Sequence, residues 1–111
     1  VDREDVVREL VAEGRDDWVP VLGLFHLARQ VVETGGGTVA DVVTDVVRAL
    51  VDRGLMTIGV LGDDGHDPWP GDSSTVVARF TGEMAACGWE PDTGSLWLAN
   101  TERGDVMAEG L

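Results

Sequence analysis

Residues 38–61 read TVADVVTDVVRALVDRGLMTIGVL. Val39, Val42, Val43, Val46, Val47, Leu50 and Val51 recur there with a period near 3.6, which puts them on one face of a helix despite β-branching that ordinarily favours strands. Thr38 stands where a side-chain cap would start that helix. Gly54 supplies the left-handed residue that commonly ends one, Leu55 packs back against it, and residues 56–61 continue as an apolar strand. A second stretch, SLWLANTERG at residues 95–104, reads as another strand leading into a turn capped by Thr101. Together they predict a helix that feeds one strand and a later strand that returns to a short closing helix.

The remaining elements follow outward from this pair. Val6, Val7, Leu10 and Val11 predict a first helix over residues 2–13, with Asp2 as cap, Glu4 and Asp5 in the first turn where the helix dipole favours acids, and a stop at Gly14. Asp17 as cap and Pro20 in the first turn predict a second helix from about residue 19 to 33, whose apolar face holds Val21, Leu24, Phe25, Leu27, Ala28, Val31 and Val32. Gly35, Gly36 and Gly37 form the turn to the third helix at residues 38–53. GDDGHDPWPGD reads as a turn-rich loop, Ser73 or Ser74 as the cap of a fourth helix ending at Gly88, EPDTG as a turn, and residues 101–110 as the closing helix.

At 111 residues the chain is one domain that buries roughly two thirds of its unfolded surface, enough to fold without disulfides or metal. The contents of 43% hydrophobic and 26% charged residues are globular values and exclude wholesale disorder. No apolar stretch is long enough to span a bilayer, since residues 18–25 are broken by Pro20 and Gly23. No secretory signal follows Val1, and the lone Cys87 fits a reducing compartment, so a cytoplasmic address is expected. Cys87 itself is expected to be a small residue packed on a helix.

The order helix, helix, helix, strand, long connection, strand, short helix, with Leu98, Thr101 and Gly104 in LANTERG, resembles the winged-helix superfamily. Many winged-helix regulators leave the last wing strand through a similar Leu, Thr and Gly pattern. The resemblance implies that Thr101 caps the next helix and that Gly104 is a close-packing position. It implies an α+β, mainly helical fold over residues 1–111, with a three-helix core and a two-stranded wing. The chain departs from the pattern in that an insertion at about 62–94, with an extra helix and two tryptophans, replaces a tight basic wing. Small acidic bacterial proteins with a helical insertion in the wing are similar in this respect.

Charge sets the functional expectation. Twenty-one acids stand against eight bases, a net charge of −13, and every base is Arg, a composition typical of high-GC bacterial genomes. Nucleic-acid affinity comes largely from Lys and Arg that neutralise phosphates. Residues 54–78 contain neither, while Asp63, Asp64, Asp67 and Asp72 fall among them. The exposed face of the third helix carries Asp41, Asp45 and Asp52 against a central Arg48. Nucleic acid is therefore not the expected partner; a basic protein is, because a field of this sign steers cations inward.

The remaining motifs weigh less. DDGHD lacks calcium-loop spacing and reads as a solvated acidic turn, His26 as a core or partly buried side chain, and the three glycines lack the strand and Lys of a phosphate loop. No motif calls for an enzyme, cofactor or metal. Trp18, Trp69, Trp89 and Trp97 are read first as packing residues that staple the insertion to the core, with Trp69 becoming an interface anchor if exposed. The expected function is non-enzymatic protein binding, as in an immunity or antitoxin-type protein that neutralises a basic toxin, through Asp63, Asp64, Asp67 and Trp69 in the loop and Asp41, Asp45 and Asp52 on the helix. The alternatives are a DNA-binding regulator, as a homodimer reading the major groove with Arg48 and Arg53, and a structural or adaptor domain.

Overall fold

The computed structural model of the chain describes residues 2–91 and 96–111. Along them run α1 (Arg3–Gly14), β1 (Val19–Pro20), α2 (Val21–Gly35), α3 (Val39–Asp52), β2 (Met56–Gly62), β3 (Gly65–Pro68), α4 (Ser73–Ala86), β4 (Trp97–Asn100) and α5 (Glu102–Glu109). The fold is α+β and mainly helical, with the strands in one antiparallel sheet of order β1-β4-β2-β3. Among the described residues, no helix is long and apolar enough to cross a membrane.

The helices start where local chemistry directs. Asp2 accepts a hydrogen bond from the Asp5 amide at 2.9 Å while Asp5 accepts one from the Asp2 amide at 2.9 Å, a reciprocal capping box. Thr38 accepts from the Asp41 amide at 3.1 Å and so caps α3. On α3 the side chains of Val42, Val43, Val46, Val47 and Leu50 are fully enclosed, because α1, α2 and α4 all pack against this helix. Burial on that scale outweighs the few tenths of a kcal/mol by which each Val disfavours a helix.

Four local expectations are corrected. Helix α2 begins at Val21 because Val19 and Pro20 pair with Leu98 and Trp97 as an edge strand, where the missing amide of Pro20 costs nothing. Asp17 is not its cap; it accepts from the adjacent Trp18 amide at 2.8 Å. Asp72, not Ser73 or Ser74, caps α4 by accepting from the Thr75 amide at 2.8 Å. The expected loop after β2 is a hairpin, in which Gly59, Val60, Leu61 and Gly62 pair with Pro68, Asp67, His66 and Gly65 around a two-residue turn of Asp63 and Asp64. The strand β3 has poor intrinsic propensity and is held by its partner. Residues 92–95, read as turn and as the start of the last strand, lie outside the described residues.

One junction ties the end of α3 to the start of α5. Gly54 sits at φ 67°, the Leu55 amide reaches back to the Leu50 carbonyl at 2.9 Å, and the Gly54 amide reaches the Val51 carbonyl at 3.0 Å. This paired closure leaves the Leu55 carbonyl pointing away from α3. The Thr101 amide donates to it at 3.0 Å, and the Thr101 hydroxyl lies 3.2 Å from it while accepting from the Gly104 amide at 3.1 Å. Gly104 rests directly on the same carbonyl, where an added Cβ would come within 2.1 Å of its oxygen. Thr101 is thus the cap of α5 and Gly104 a close-packing position.

Because the atom facing Gly104 is backbone, it cannot swing aside, and Gly104→Ala is expected to cost about 2–3 kcal/mol in urea unfolding. Gly82→Ala, on the exposed face of α4 with open space around it, is expected instead to stabilise by about 0.5–1 kcal/mol. Equal effects of the two would contradict the packing described. The bonds from the Thr75 amide and side chain also hold the Asp72 carboxyl below its ordinary value of 3.8. A carboxylate depressed in the folded state contributes stability above its unfolded pKa and loses it as pH falls through the folded one. Asp72→Ala is accordingly expected to lower Tm at neutral pH, with the gap from the parent protein narrowing in acid below pH 3.8; a gap constant with pH would be inconsistent with this cap.

Candidate protein-binding surface

The expected site residues divide into two groups. On α3, Asp45 accepts from Arg3 at 2.7 Å, Asp52 accepts from the Ser73 hydroxyl, and Asp41 stands in the first turn, where its charge meets the positive helix end. These acids have intramolecular work. Arg53 is bound by both oxygens of Glu4 at 3.0 and 3.1 Å, whereas Arg48 is exposed beside Ser74 and Thr81 of α4, which lies along α3.

The β2–β3 hairpin carries the other group. Asp63, Asp64 and Asp67 are exposed, and none has a cationic partner within 4.0 Å among the described residues. The arm that carries them is shaped by close backbone contact. A Cβ on Gly59 would fall 2.0 Å from the Asp67 carbonyl oxygen, so only glycine lets β3 cross there. The ring of Trp18 lies against Gly65, 3.3 Å from where a Cβ would be, and the His66 Nε2 bonds the Trp97 carbonyl at 3.0 Å. The arm is thereby fastened at its tip. No three His, Cys, Asp or Glu side chains gather as a metal group among the described residues.

Trp69 is only 9% exposed and does not project as an anchor. Its amide donates to the Ile58 carbonyl at 2.8 Å, and the Arg79 guanidinium covers its ring at 4.1 Å. Arg79 in turn pairs with Glu83 at 3.1 Å. Trp69 thus becomes a wall, bounding with Val60, Met84 and Leu96 a cavity of about 260 Å³ between β2 and α4. Cys87 stands exposed at its mouth, its thiol donating to the Met84 carbonyl at 3.3 Å. The expectation that Cys87 packs on a helix is corrected, since it is exposed at the C-cap of α4. His26 is also exposed, at the edge of the apolar face of α2 above Glu9 and Glu13 of α1.

Sequence reasoning missed Val60 and Leu61 as surface residues, 39% and 42% exposed. They belong to the apolar strand expected over residues 56–61, but β2 extends past the end of β4, which pairs only with residues 56–59. Trp18 is 42% exposed as well. Three of the large exposed apolar side chains therefore touch or belong to the arm that bears Asp63, Asp64 and Asp67.

Two substitutions test this account of the arm. Arg79→Met is expected to destabilise by about 1 kcal/mol, because the ring contact and the exposed ion pair are both lost, and to alter Trp69 fluorescence. Gly59→Ala is expected to shift backbone amide resonances along β3 while leaving those of α1 and α2 unmoved; an unchanged β3 would refute the tight crossing. No protein-family model, no characterised protein and no solved structure matches this chain.

Proposed function

We propose that this chain is a non-enzymatic protein-binding domain whose acidic hairpin arm receives a basic partner, as an immunity or antitoxin-type protein covers the cationic cleft of a toxin. The observation that carries the reading is the difference between the two groups of acids. Asp45 and Asp52 are already engaged within the chain, whereas Asp63, Asp64 and Asp67 lack a cationic partner within 4.0 Å among the described residues. Carboxylates held close together on a fastened arm repel one another and gain when a cation approaches. The net charge of −13 extends that attraction beyond contact distance.

In architecture the proposal is a winged-helix-like domain, in which α1 to α3 form the core, β2 and β4 the wing, and the second half of the hairpin and α4 the insertion. The DNA-reading alternative has less support. Arg53 is held by Glu4, α4 flanks the outer face of α3, and Arg48 alone cannot supply the phosphate contacts of a specific complex.

The reading is tested by capturing partners at low salt from cells of the source organism, eluting with salt, and measuring association of the recovered protein against ionic strength. A basic protein is expected, with an on-rate that falls about tenfold or more as salt rises and that collapses for Asp63→Arg/Asp64→Arg/Asp67→Arg. Recovery of DNA, or an association indifferent to that charge reversal, would overturn the reading.

A further inference from the structure

We infer that the cavity between β2 and α4 receives one apolar side chain from a basic segment of the partner, while the bases beside that side chain meet the acids of the hairpin arm. The inference rests on the proposed preference for a basic protein and adds the place and mode of contact. The cavity is lined by Val60, Trp69, Met84 and Leu96. Its volume of about 260 Å³ lies below the roughly 300–1,000 Å³ of pockets that enclose small organic ligands. The space is right for a single large side chain delivered by a polypeptide.

The cavity and the acids are adjacent by construction. Val60 stands directly opposite Asp67 in the β2–β3 ladder, and Leu61 stands opposite His66. A chain that lowers an apolar residue past Val60 therefore carries its neighbours over Asp67 and on toward Asp63 and Asp64. Arg79, the one cation lining the cavity among the described residues, does not oppose this. Its charge is turned onto the Trp69 ring at 4.1 Å and onto Glu83 at 3.1 Å. Val60 at 39% exposure leaves the rim open to an incoming residue. Charge also selects the occupant, because a second copy of this acidic chain would set like charges against the arm, and an acidic or neutral segment would leave its carboxylates unpaired. An apolar anchor in a pocket, ringed by complementary charge, is the arrangement that concentrates binding energy at protein interfaces.

The test uses the intact chain and three synthetic peptides: an arginine-rich peptide with one central phenylalanine, the same peptide with alanine in that position, and the phenylalanine peptide with its arginines replaced by glutamates. The phenylalanine peptide is expected to bind about tenfold more tightly than the alanine peptide, and to shift the Trp69 indole N–H and Met84 methyl resonances. The glutamate peptide is expected not to bind. Val60→Arg, at an exposed position, is expected to abolish the preference for phenylalanine while the parent Tm is retained. Equal affinity for the phenylalanine and alanine peptides would overturn the anchor cavity and leave the basic-partner reading standing. Binding of the glutamate peptide as tightly as the arginine one would overturn the basic-partner reading, and with it the choice of occupant.

Discussion

The Leu55 carbonyl is the point on which this fold turns. It leaves α3 at the moment the helix closes over Gly54, and it receives the Thr101 amide at 3.0 Å while Gly104 packs against it. With the Thr101 hydroxyl on the Gly54 carbonyl and Arg103 on the Arg53 carbonyl beside it, that oxygen joins the end of the central helix to the start of the last. Position 55 then fixes where β2 begins, and Asn100, just before Thr101, fixes where β4 ends. The register of Met56 with Asn100 and of Ile58 with Leu98 follows directly. A buried carbonyl left without a donor would cost about 1–3 kcal/mol, so the contact is strongly held.

Between those two anchored strands the chain inserts the hairpin and α4. The insertion is made compatible with the core by giving α4 an apolar face, Val76, Val77 and Phe80, that packs on α3. The consequence is a central helix packed against α1, α2 and α4. The hairpin extends past β4, and that overhang leaves Val60 and Leu61 in solvent and opens the cavity against Met84.

The acids share a sign and differ in use. Asp2 and Asp72 are spent on helix caps, and the amide hydrogen bonds they accept hold both carboxyls below their ordinary pKa. Asp45, Glu4 and Glu83 neutralise arginines, in exposed pairs of which each adds about 0–1 kcal/mol. Asp63, Asp64 and Asp67 have no such structural duty among the described residues. Surplus charge at those positions carries a cost in self-repulsion.

Local chemistry written in the residues was enough to determine much of the molecule. The 3.6-residue period of the valines from Val39 to Val51 outweighed their β-branching because burial of a whole helix face exceeds the sum of small propensity terms. Thr38, Gly54, Thr101 and Gly104 were legible because caps and left-handed stops act within a few residues. Excess acid was legible because charge is a matter of composition. What only the tertiary structure decided depends on distant partners. Val19 and Pro20 form a strand because Trp97 and Leu98 lie beside them, and the residues from Gly65 to Pro68 form one because β2 holds them, although their own propensity opposes it. Trp69 turned inward because Arg79 and the Ile58 carbonyl receive it, and Val60 turned outward because β4 stops short. Whether an aspartate is engaged or left open to a partner depends on which arginine the folded chain brings near it, and no local pattern encodes that distance.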